Sequence, residues 1–209
     1  MFISSARSIG PWIIYIRIDC SCFFLSGVHA IMKIIAFLGN PGKKYARNRH
    51  NIGFIVGEYF ARQHGISCGQ KKFNALSGNG KIDGEDICLL FPQTYMNKSG
   101  ESVIPALNYY GLDVHDLVAV HDEIEFNFGR VEVKFGGGHK GHNGIRSIVQ
   151  CAASADFHRI RFGVGRPENP EIPVADYVLG NFLPEEMVRI EELLPRIDEM
   201  LIDVIKKRD

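Results

Sequence analysis

The stretch MKIIAFLGNPG at residues 32–42 decides the fold of this chain. Its apolar run, residues 34–38, has the length of a strand, and the lack of alternation is typical of a strand covered on both faces. The turn at residues 39–42 ends it. Apolar residues at helical spacing then follow Asn51 as far as Gly65, which predicts a helix that Asn51 caps. The chain therefore begins its pattern with a buried strand and a helix.

The rest of the sequence continues to alternate strands with helices. Residues 75–82 and 87–91 are predicted to form a hairpin that turns at Asp83-Gly84. Further strands are predicted at 117–120, at 130–135 with its polar side chains facing outward, and at 159–164. Further helices are predicted to begin at Ser99, Asn143 and Pro184. This order predicts an α/β fold, a single-domain three-layer sandwich in which a twisted mixed β-sheet is flanked by helices on both faces.

Composition excludes several classes of protein. The chain of 209 residues has 45% hydrophobic residues, which is ordinary for a globular domain. Its 24 basic and 24 acidic residues balance, so any affinity for nucleic acid must come from local patches. The 5 cysteines lack the paired spacing of a zinc site, which indicates a reducing cytoplasm and no structural metal.

Residues 1–31 stand outside the strand and helix pattern. Their apolar segments are interrupted by Arg17 and Asp19 and are shorter than the roughly 18 residues of a membrane span. A secretory signal is an alternative, because Val28-His29-Ala30 resembles a small-residue cleavage site. We expect a mistaken start or a tail with little fixed structure, followed by one domain at residues 32–209.

Polar side chains stand where the apolar runs stop, namely His50, Asp122 and the amides Asn40, Asn97 and Asn143. Ligands of open α/β sheets bind beyond the carboxyl ends of strands, so these groups are expected to share one mouth. A neutral imidazole accepts a proton near neutral pH, and a carboxylate on its other ring nitrogen fixes the tautomer. Each residue also has a purely structural interpretation, such as a turn or a helix cap.

Several motifs in this order closely resemble those of bacterial peptidyl-tRNA hydrolases. The resemblance spans residues 32–182 and rests on FLGNPG at 37–42 with Tyr45, RHNIG at 49–53, TYMNKSG at 94–100, HDE at 121–123, GGG at 136–138, GHNG at 141–144 and FHRIR at 157–161. Asn48 departs from the threonine usual in the family, a change we expect to be tolerated because both residues offer a side-chain oxygen.

The resemblance implies hydrolysis of the ester between a peptide and the terminal ribose of tRNA, without cofactor or metal. It implies that His50 is the general base and that Asp122 orients it. Asn40 and Asn143 would hold the peptide and the attacking water, and Asn97 would steady the oxyanion. Tyr45 and Met96 would line the same cleft, and Lys134 and Arg161 would clamp the tRNA 5′-phosphate. A monomer in the cytoplasm is expected.

Two other functions compete with this interpretation. Relatives of this fold in plant organelles act as RNA-binding splicing factors, which would need a basic surface and no hydrolysis. A metal-assisted peptidase would need His50, Asp122, Glu123 and His142 to meet as ligands. The three glycines at residues 136–138 have two interpretations. They form either a backbone site that binds a phosphate or a plain flexible turn. Five basic residues cluster around these glycines in sequence and form either a solvated face or a phosphate tract, namely Lys134, Lys140, Arg146, Arg159 and Arg161.

Overall fold

The computed structural model describes residues 32–207, which form one mixed seven-stranded sheet between two layers of helices. Residues 1–31, with the predictions made for them, lie outside the described part. The strands are β1 Lys33–Phe37, β2 Gln70–Lys72, β3 Ala75–Ile82, β4 Glu85–Pro92, β5 Leu117–Glu123, β6 Val131–Phe135 and β7 His158–Gly163. The helices are α1 Ile52–Gln63, α2 Gly100–Tyr110, α3 Asn143–Ala152, α4 Val174–Leu179 and α5 Pro184–Lys206.

The sheet order β2-β3-β4-β1-β5-β7-β6 places β1 at the centre. Strand β1 is parallel to β4 and to β5, and β5 is parallel to β7. The outer pairs β2–β3, β3–β4 and β6–β7 are antiparallel. The carboxyl ends of β1, β4, β5 and β7 therefore meet at one edge, where ligands of such sheets bind.

The central strand β1 supplies both hydrophobic cores. Ile35 and Phe37 pack with α1 and α5 on one face, and Ile34, Ala36 and Leu38 pack with α2 and α3 on the other. Full burial of all five positions explains why the run shows no alternation in sequence. The predicted three-layer α/β architecture is confirmed. No helix in the described part of the chain has both the length and the apolar content to cross a bilayer.

A glycine lets α1 approach the sheet closely. A Cβ atom at Gly53 would lie 2.3 Å from the Leu38 carbonyl oxygen and 2.6 Å from that of Val120. Neither backbone atom can yield without breaking β1 or β5, so a larger residue would push α1 outward. The close contact brings the turn before α1 against the carboxyl ends of both strands.

The predicted hairpin turn was correct, and several other local predictions need correction. The hairpin turns at Asp83 and Gly84, with the positive φ values of 50° and 90° that a tight two-residue turn needs. Strand β5 runs to Glu123 rather than stopping at residue 120. The short elements β2 and α4 were not predicted. Strand β2 has only three residues, all polar, and helix α4 has only six, so neither shows a clear periodicity in sequence.

The orientation predicted for β6 holds for Val131 and Val133, which pack in the first core, but not for Phe135. Phe135 is 46% exposed, whereas Glu132 and Lys134 are half-buried rather than turned to solvent. The reason is the partner strand, because Glu132 lies opposite Arg161 and Lys134 opposite Arg159 in the β6–β7 register. The polar face of β6 therefore continues a charged surface of the sheet.

Candidate active site

His50 and Asp122 meet at the edge where the parallel strands end. The His50 Nδ1 atom lies 2.8 Å from Asp122 Oδ1, although the two residues are 72 positions apart in the chain. His50 lies in the 3-10 turn Arg49–Asn51 that precedes α1, and Asp122 is the penultimate residue of β5. Both are buried, and Asp122 is only 2% exposed. The pairing has the geometry of a histidine oriented by an acid.

Two more histidines surround the same aspartate. His142 Nε2 lies 3.0 Å from Asp122 Oδ1, the oxygen that His50 also contacts. His121 Nδ1 lies 2.6 Å from the Asp122 backbone oxygen, which only a protonated nitrogen can satisfy. The His142 ring centroid is 4.9 Å from that of His50 and 4.6 Å from that of His121. Asp122 thus contacts three imidazoles, two through its carboxylate and one through its backbone oxygen.

The environment shifts the pKa of each of these groups. Burial alone would raise the pKa of the Asp122 carboxyl, but the charges and hydrogen bonds of His50 and His142 outweigh burial and hold that pKa well below its usual value. Burial lowers the pKa of His50, while the charge and hydrogen bond of Asp122 raise it, and the net shift is upward. Burial and the neighbouring His142 hold the pKa of His121 far below 6.5, so His121 stays neutral.

A cavity of about 390 Å³ opens beside this group. Its floor is the sheet face that carries His121, Glu123 and Arg161, and its walls include the loop at residues 138–143. Val174, Ala175 and Val178 of the short helix α4 form an apolar wall. A site with one charged wall, one apolar wall and a buried imidazole suits a ligand with both ionic and apolar parts.

Asn40 is tied into the structure beside His50. Its backbone N–H donates to Asn51 Oδ1 and its carbonyl accepts from Asn51 Nδ2, both at 2.9 Å. Its own Oδ1 accepts from the Met96 backbone N–H at 2.8 Å. The Asn51 amide therefore does not cap α1 as predicted, because it is bonded to Asn40. These bonds join the end of β1 to the turn at residues 95–98.

The remaining predicted binding residues fall into an exposed and a buried class. Asn97 lies exposed in the 3-10 turn Met96–Lys98. Asn143 is exposed at the first position of α3, and its Oδ1 accepts from Arg146 Nη2 at 2.8 Å. Tyr45 is partly exposed, with Lys44 Nζ 4.6 Å from its ring centroid. Met96 is 3% exposed and packs in the second core.

Gly144 connects these groups to the histidines. A Cβ atom at Gly144 would lie 2.6 Å from Met96 Sδ and 3.1 Å from His142 Cε1. Met96 is bonded to Asn40, and Asn40 to the residue after His50. Asn40 and Met96 therefore lie close to Gly144 and His142, and Asn97 and Asn143 follow Met96 and His142 directly in sequence.

The basic side chains differ in availability. Lys134 and Arg161 both line the cavity, and Arg161 pairs with Glu132 at 3.0 Å and with Glu123 at 3.5 Å. Arg159 is 2% exposed, and its guanidinium donates to the carbonyl oxygens of residues 137, 138 and 155. Arg159 therefore holds the glycine loop in place. Its guanidinium is engaged by these carbonyls, so it is less available to a phosphate than the other basic residues of the predicted tract.

A buried arginine holds the turn that carries His50. Arg49 donates to the Asn181 carbonyl at 2.7 Å and to Glu186 Oε2 at 2.8 Å, and its guanidinium lies 4.5 Å from the Tyr177 ring centroid. The backbone N–H of Arg49 also donates to the Gly180 carbonyl. The turn is thus attached to the segment between α4 and α5. Asn48 adds a bond from Nδ2 to the Leu179 carbonyl, so the nitrogen rather than the expected oxygen is used.

Sequence reasoning missed the positions of His142 and Arg49. It treated His142 only as one of four ligands of a peptidase metal, and the structure brings His50, Asp122 and His142 within 4.8 Å of one another. Glu123 is not in that group, because it faces the neighbouring strand and pairs with Arg161. The available signal for His142 was its place just before a helix that begins at Asn143, which is an N-cap position.

Known proteins resemble this chain along most of its length. The family described as "Peptidyl-tRNA hydrolase" matches residues 34–209. A relative of that name from Syntrophotalea carbinolica is 46% identical over 176 residues, covering 84% of this chain and 92% of the relative. A second from Bacillus subtilis is 44% identical over 165 residues, covering 79% and 87%.

A solved structure agrees with these relatives. The peptidyl-tRNA hydrolase of Acinetobacter baumannii has a TM-score of 0.79 and 38% identity, covering 86% of this chain and 92% of that one. The sequence and the fold thus indicate the same family. The chain belongs to the peptidyl-tRNA hydrolase family.

Proposed function

We propose that this protein hydrolyses the ester bond that joins a peptide to the terminal ribose of tRNA, with His50 as general base and Asp122 as the acid that orients it. The single observation that carries this proposal is the buried contact of 2.8 Å between His50 Nδ1 and Asp122 Oδ1 beside the cavity. Family membership supplies the substrate class.

The tautomer of His50 supports the assignment. A carboxylate only accepts, so His50 Nδ1 carries the proton in this hydrogen bond. In the neutral ring Nε2 then has a free lone pair. This nitrogen takes a proton from water, the hydroxide oxygen attacks the ester carbonyl carbon, and the carbonyl becomes an oxyanion. Asp122 stabilises the imidazolium that forms.

Collapse of the intermediate completes the reaction. The bond between the carbonyl carbon and the ribose oxygen breaks, and the proton held on His50 Nε2 passes to that oxygen. The products are a tRNA with a free terminal hydroxyl and a peptide carboxylic acid, which ionises in water. A ribose hydroxyl leaves more readily than an amine, so one base is sufficient.

The uncharged amides provide recognition in this proposal. Asn97 donates to the oxyanion, and Asn143 and Asn40 hold the peptide backbone and the attacking water. Because Asn40 Oδ1 already accepts from Met96, its part falls to the Nδ2 group. Met96 acts through its backbone N–H, which donates to Asn40 Oδ1 and holds the Asn40 side chain. Tyr45 lines the cleft beside it. Amides recognise groups that all peptides share, which suits a substrate of variable sequence.

Lys134 and Arg161 hold the 5′-phosphate of the tRNA in this scheme. Both side chains line the cavity, and the two acidic partners of Arg161 fix its guanidinium before any ligand binds. Residues 32–209 would form the hydrolase domain. The protein would work as a monomer in the cytoplasm, because the site as described is built from one chain and the substrate arises at ribosomes.

Hydrolysis of an N-acylated aminoacyl-tRNA, measured in the presence of a chelator, tests the proposal. The unmodified protein is expected to turn over, and His50→Ala is expected to keep its fold and lose about 10²–10⁴ in kcat. Circular dichroism and the melting temperature report on folding. Near-normal turnover by His50→Ala would remove His50 from the mechanism. RNA binding without hydrolysis by the unmodified protein would favour the RNA-binding alternative.

A further inference from the structure

The N-terminus of α3 controls which nitrogen of His142 carries a proton. His142 is the N-cap of this helix, and its Nδ1 accepts from the Ile145 backbone N–H at 3.2 Å. A backbone N–H can only donate, so Nδ1 must present its lone pair. The neutral ring therefore carries its proton on Nε2. The cap fixes a single tautomer of His142.

That tautomer directs a donor at the catalytic carboxylate. His142 Nε2 lies 3.0 Å from Asp122 Oδ1, and the side chain of His142 is only 8% exposed. His50 Nδ1 approaches the same oxygen at 2.8 Å. One oxygen thus accepts two hydrogen bonds from two sides. A carboxylate held by two donors cannot rotate away from either without losing a bond in a buried site.

We propose that His142 is a positioning residue of the hydrolysis, locked by α3 into the tautomer that donates to Asp122 Oδ1 and so keeps this oxygen in line with His50. This inference rests on the proposed function and adds a residue to it. The second donor also withdraws negative charge from the oxygen. Asp122 therefore attracts the His50 proton less strongly than a free carboxylate would, which leaves His50 a base that releases its proton to the leaving group.

The lock also opposes a metal ion. A proton on His142 Nδ1 would face the Ile145 N–H and break the helix cap. A cation on Nε2 would require the same proton on Nδ1, because a neutral imidazole keeps one proton. The geometry of His50, Asp122 and His142 therefore suits two hydrogen bonds to one carboxylate oxygen better than a bound metal ion.

Other charged and titratable groups around this site stay constant in the test. His121 contacts the His142 ring edge-on and stays neutral, and α4 contributes Val174, Ala175 and Val178 to the wall. The remaining titratable or charged groups that line the cavity are Glu123, Lys134, His139, Lys140, Arg159 and Arg161. None of them is altered by a substitution at residue 142.

Two variants separate the cap from the donor. His142→Asn keeps an oxygen for the Ile145 N–H but is too short to reach Asp122, whereas His142→Gln reaches Asp122 with an N–H. For His142→Asn we expect an unchanged melting temperature, a fall in kcat of about tenfold with KM within twofold, and an acid limb of kcat/KM about one pH unit higher. For His142→Gln we expect a lower melting temperature but kcat within about threefold of the unmodified protein.

The outcomes are decisive in each direction. Parent-like kcat and pH profile in His142→Asn would reduce His142 to a helix cap, and an equal loss in His142→Gln would show that the donor is irrelevant. His115→Asn, the same change at an exposed histidine, is the control and is expected to leave activity unchanged. A parent protein without hydrolysis would refute the proposed function instead.

A spectroscopic measurement needs no folded variant. In the ¹⁵N NMR spectrum of histidine-labelled protein, the neutral form of the His142 ring is expected to show a bare Nδ1 and a protonated Nε2. A neutral His142 ring that carries its proton on Nδ1 overturns the inference, whatever the enzymatic activity.

Discussion

The two halves of the site are built differently. Asp122 and the two histidines bonded to it, His50 and His142, are almost withdrawn from solvent. By contrast, Asn97 lies exposed in a 3-10 turn and Asn143 lies exposed at the start of α3. The buried half has fixed partners at 2.8 and 3.0 Å. The exposed half offers side-chain amides at the surface.

This contrast matches the two tasks of the proposed reaction. Proton transfer needs a base held in one geometry, and burial strengthens each hydrogen bond that holds it. Recognition of many different peptides needs groups that adapt, and exposed amides retain that freedom. The buried half should therefore control the pH dependence of kcat. The exposed half should control stabilisation of the transition state and binding of the substrate.

Replacing the buried acid should have the largest effect. Asp122→Asn leaves the shape intact but removes the charge that orients His50 and stabilises its cation, so kcat should fall by as much as about 10⁴. The acid limb of the pH profile reports the pKa of His50, which Asp122 raises and burial lowers. In the unmodified protein this limb should lie above pH 6.5, and in Asp122→Asn it should move to lower pH.

Stopped-flow or discontinuous assays across a range of pH would measure both effects. Asp86→Asn, at the hairpin on the opposite edge of the sheet, is the matched control and should behave like the parent. An acid limb that stays in place in Asp122→Asn would mean that another group titrates.

Removing an exposed amide should have a smaller effect. Asn97→Ala is expected to lower kcat by about 10²–10³ without changing the melting temperature, because the lost group donates to an oxyanion and supports no buried contact. Asn108→Ala, an exposed amide on α2, provides the comparison. A change confined to KM would assign Asn97 to ground-state binding of the peptide and contradict the oxyanion role.

The basic pair should affect binding more than chemistry. Lys134→Ala is expected to reduce the salt dependence of tRNA binding by about 0.7–0.9 in the slope of log K against log salt, because one phosphate contact is lost. Titrations at several salt concentrations measure the slope. Lys81→Ala removes the same charge at the distant hairpin, and an equal drop there would mean that Lys134 has no specific contact.

Deleting residues 1–31 should have the smallest effect of all. A chain that starts at Met32 retains every residue of the proposed site, so kcat and KM should stay within about twofold of the full chain. The hydrolysis assay with purified protein of each length measures this. Lower activity in the shorter chain would extend the functional domain beyond residues 32–209.

Local patterns in the sequence predicted the fold well where the cause is local. The apolar run at 34–38 predicts a strand covered on both faces, and Asp83-Gly84 predicts a tight turn, because both depend on neighbouring residues. Strand β6 was partly misjudged because its exposure depends on Arg159 and Arg161, which lie more than 20 positions away. Helix α4 has only six residues, too few to show a helical period.

The pairing of His50 with Asp122 was predictable from the sequence, but the other connections of these residues were not. His50 and Asp122 were expected to pair and stand at 2.8 Å. The second donor on Asp122 could not be foreseen, because it depends on how the cap of α3 turns the His142 ring. Asn51 was assigned to a helix cap, yet the bends at residues 40 and 51 bring its amide onto the Asn40 backbone. Spatial partners of polar side chains are set by the tertiary fold.

The attachment of Arg49 to Glu186 has a consequence for biosynthesis. The turn with His50 is made early by the ribosome, but the residues that grip its neighbour, 180–186, are made about 130 positions later. The turn that carries His50 therefore gains its final support only when most of the protein has emerged. Activity should appear late in translation, so a polypeptide interrupted before this point would be inert.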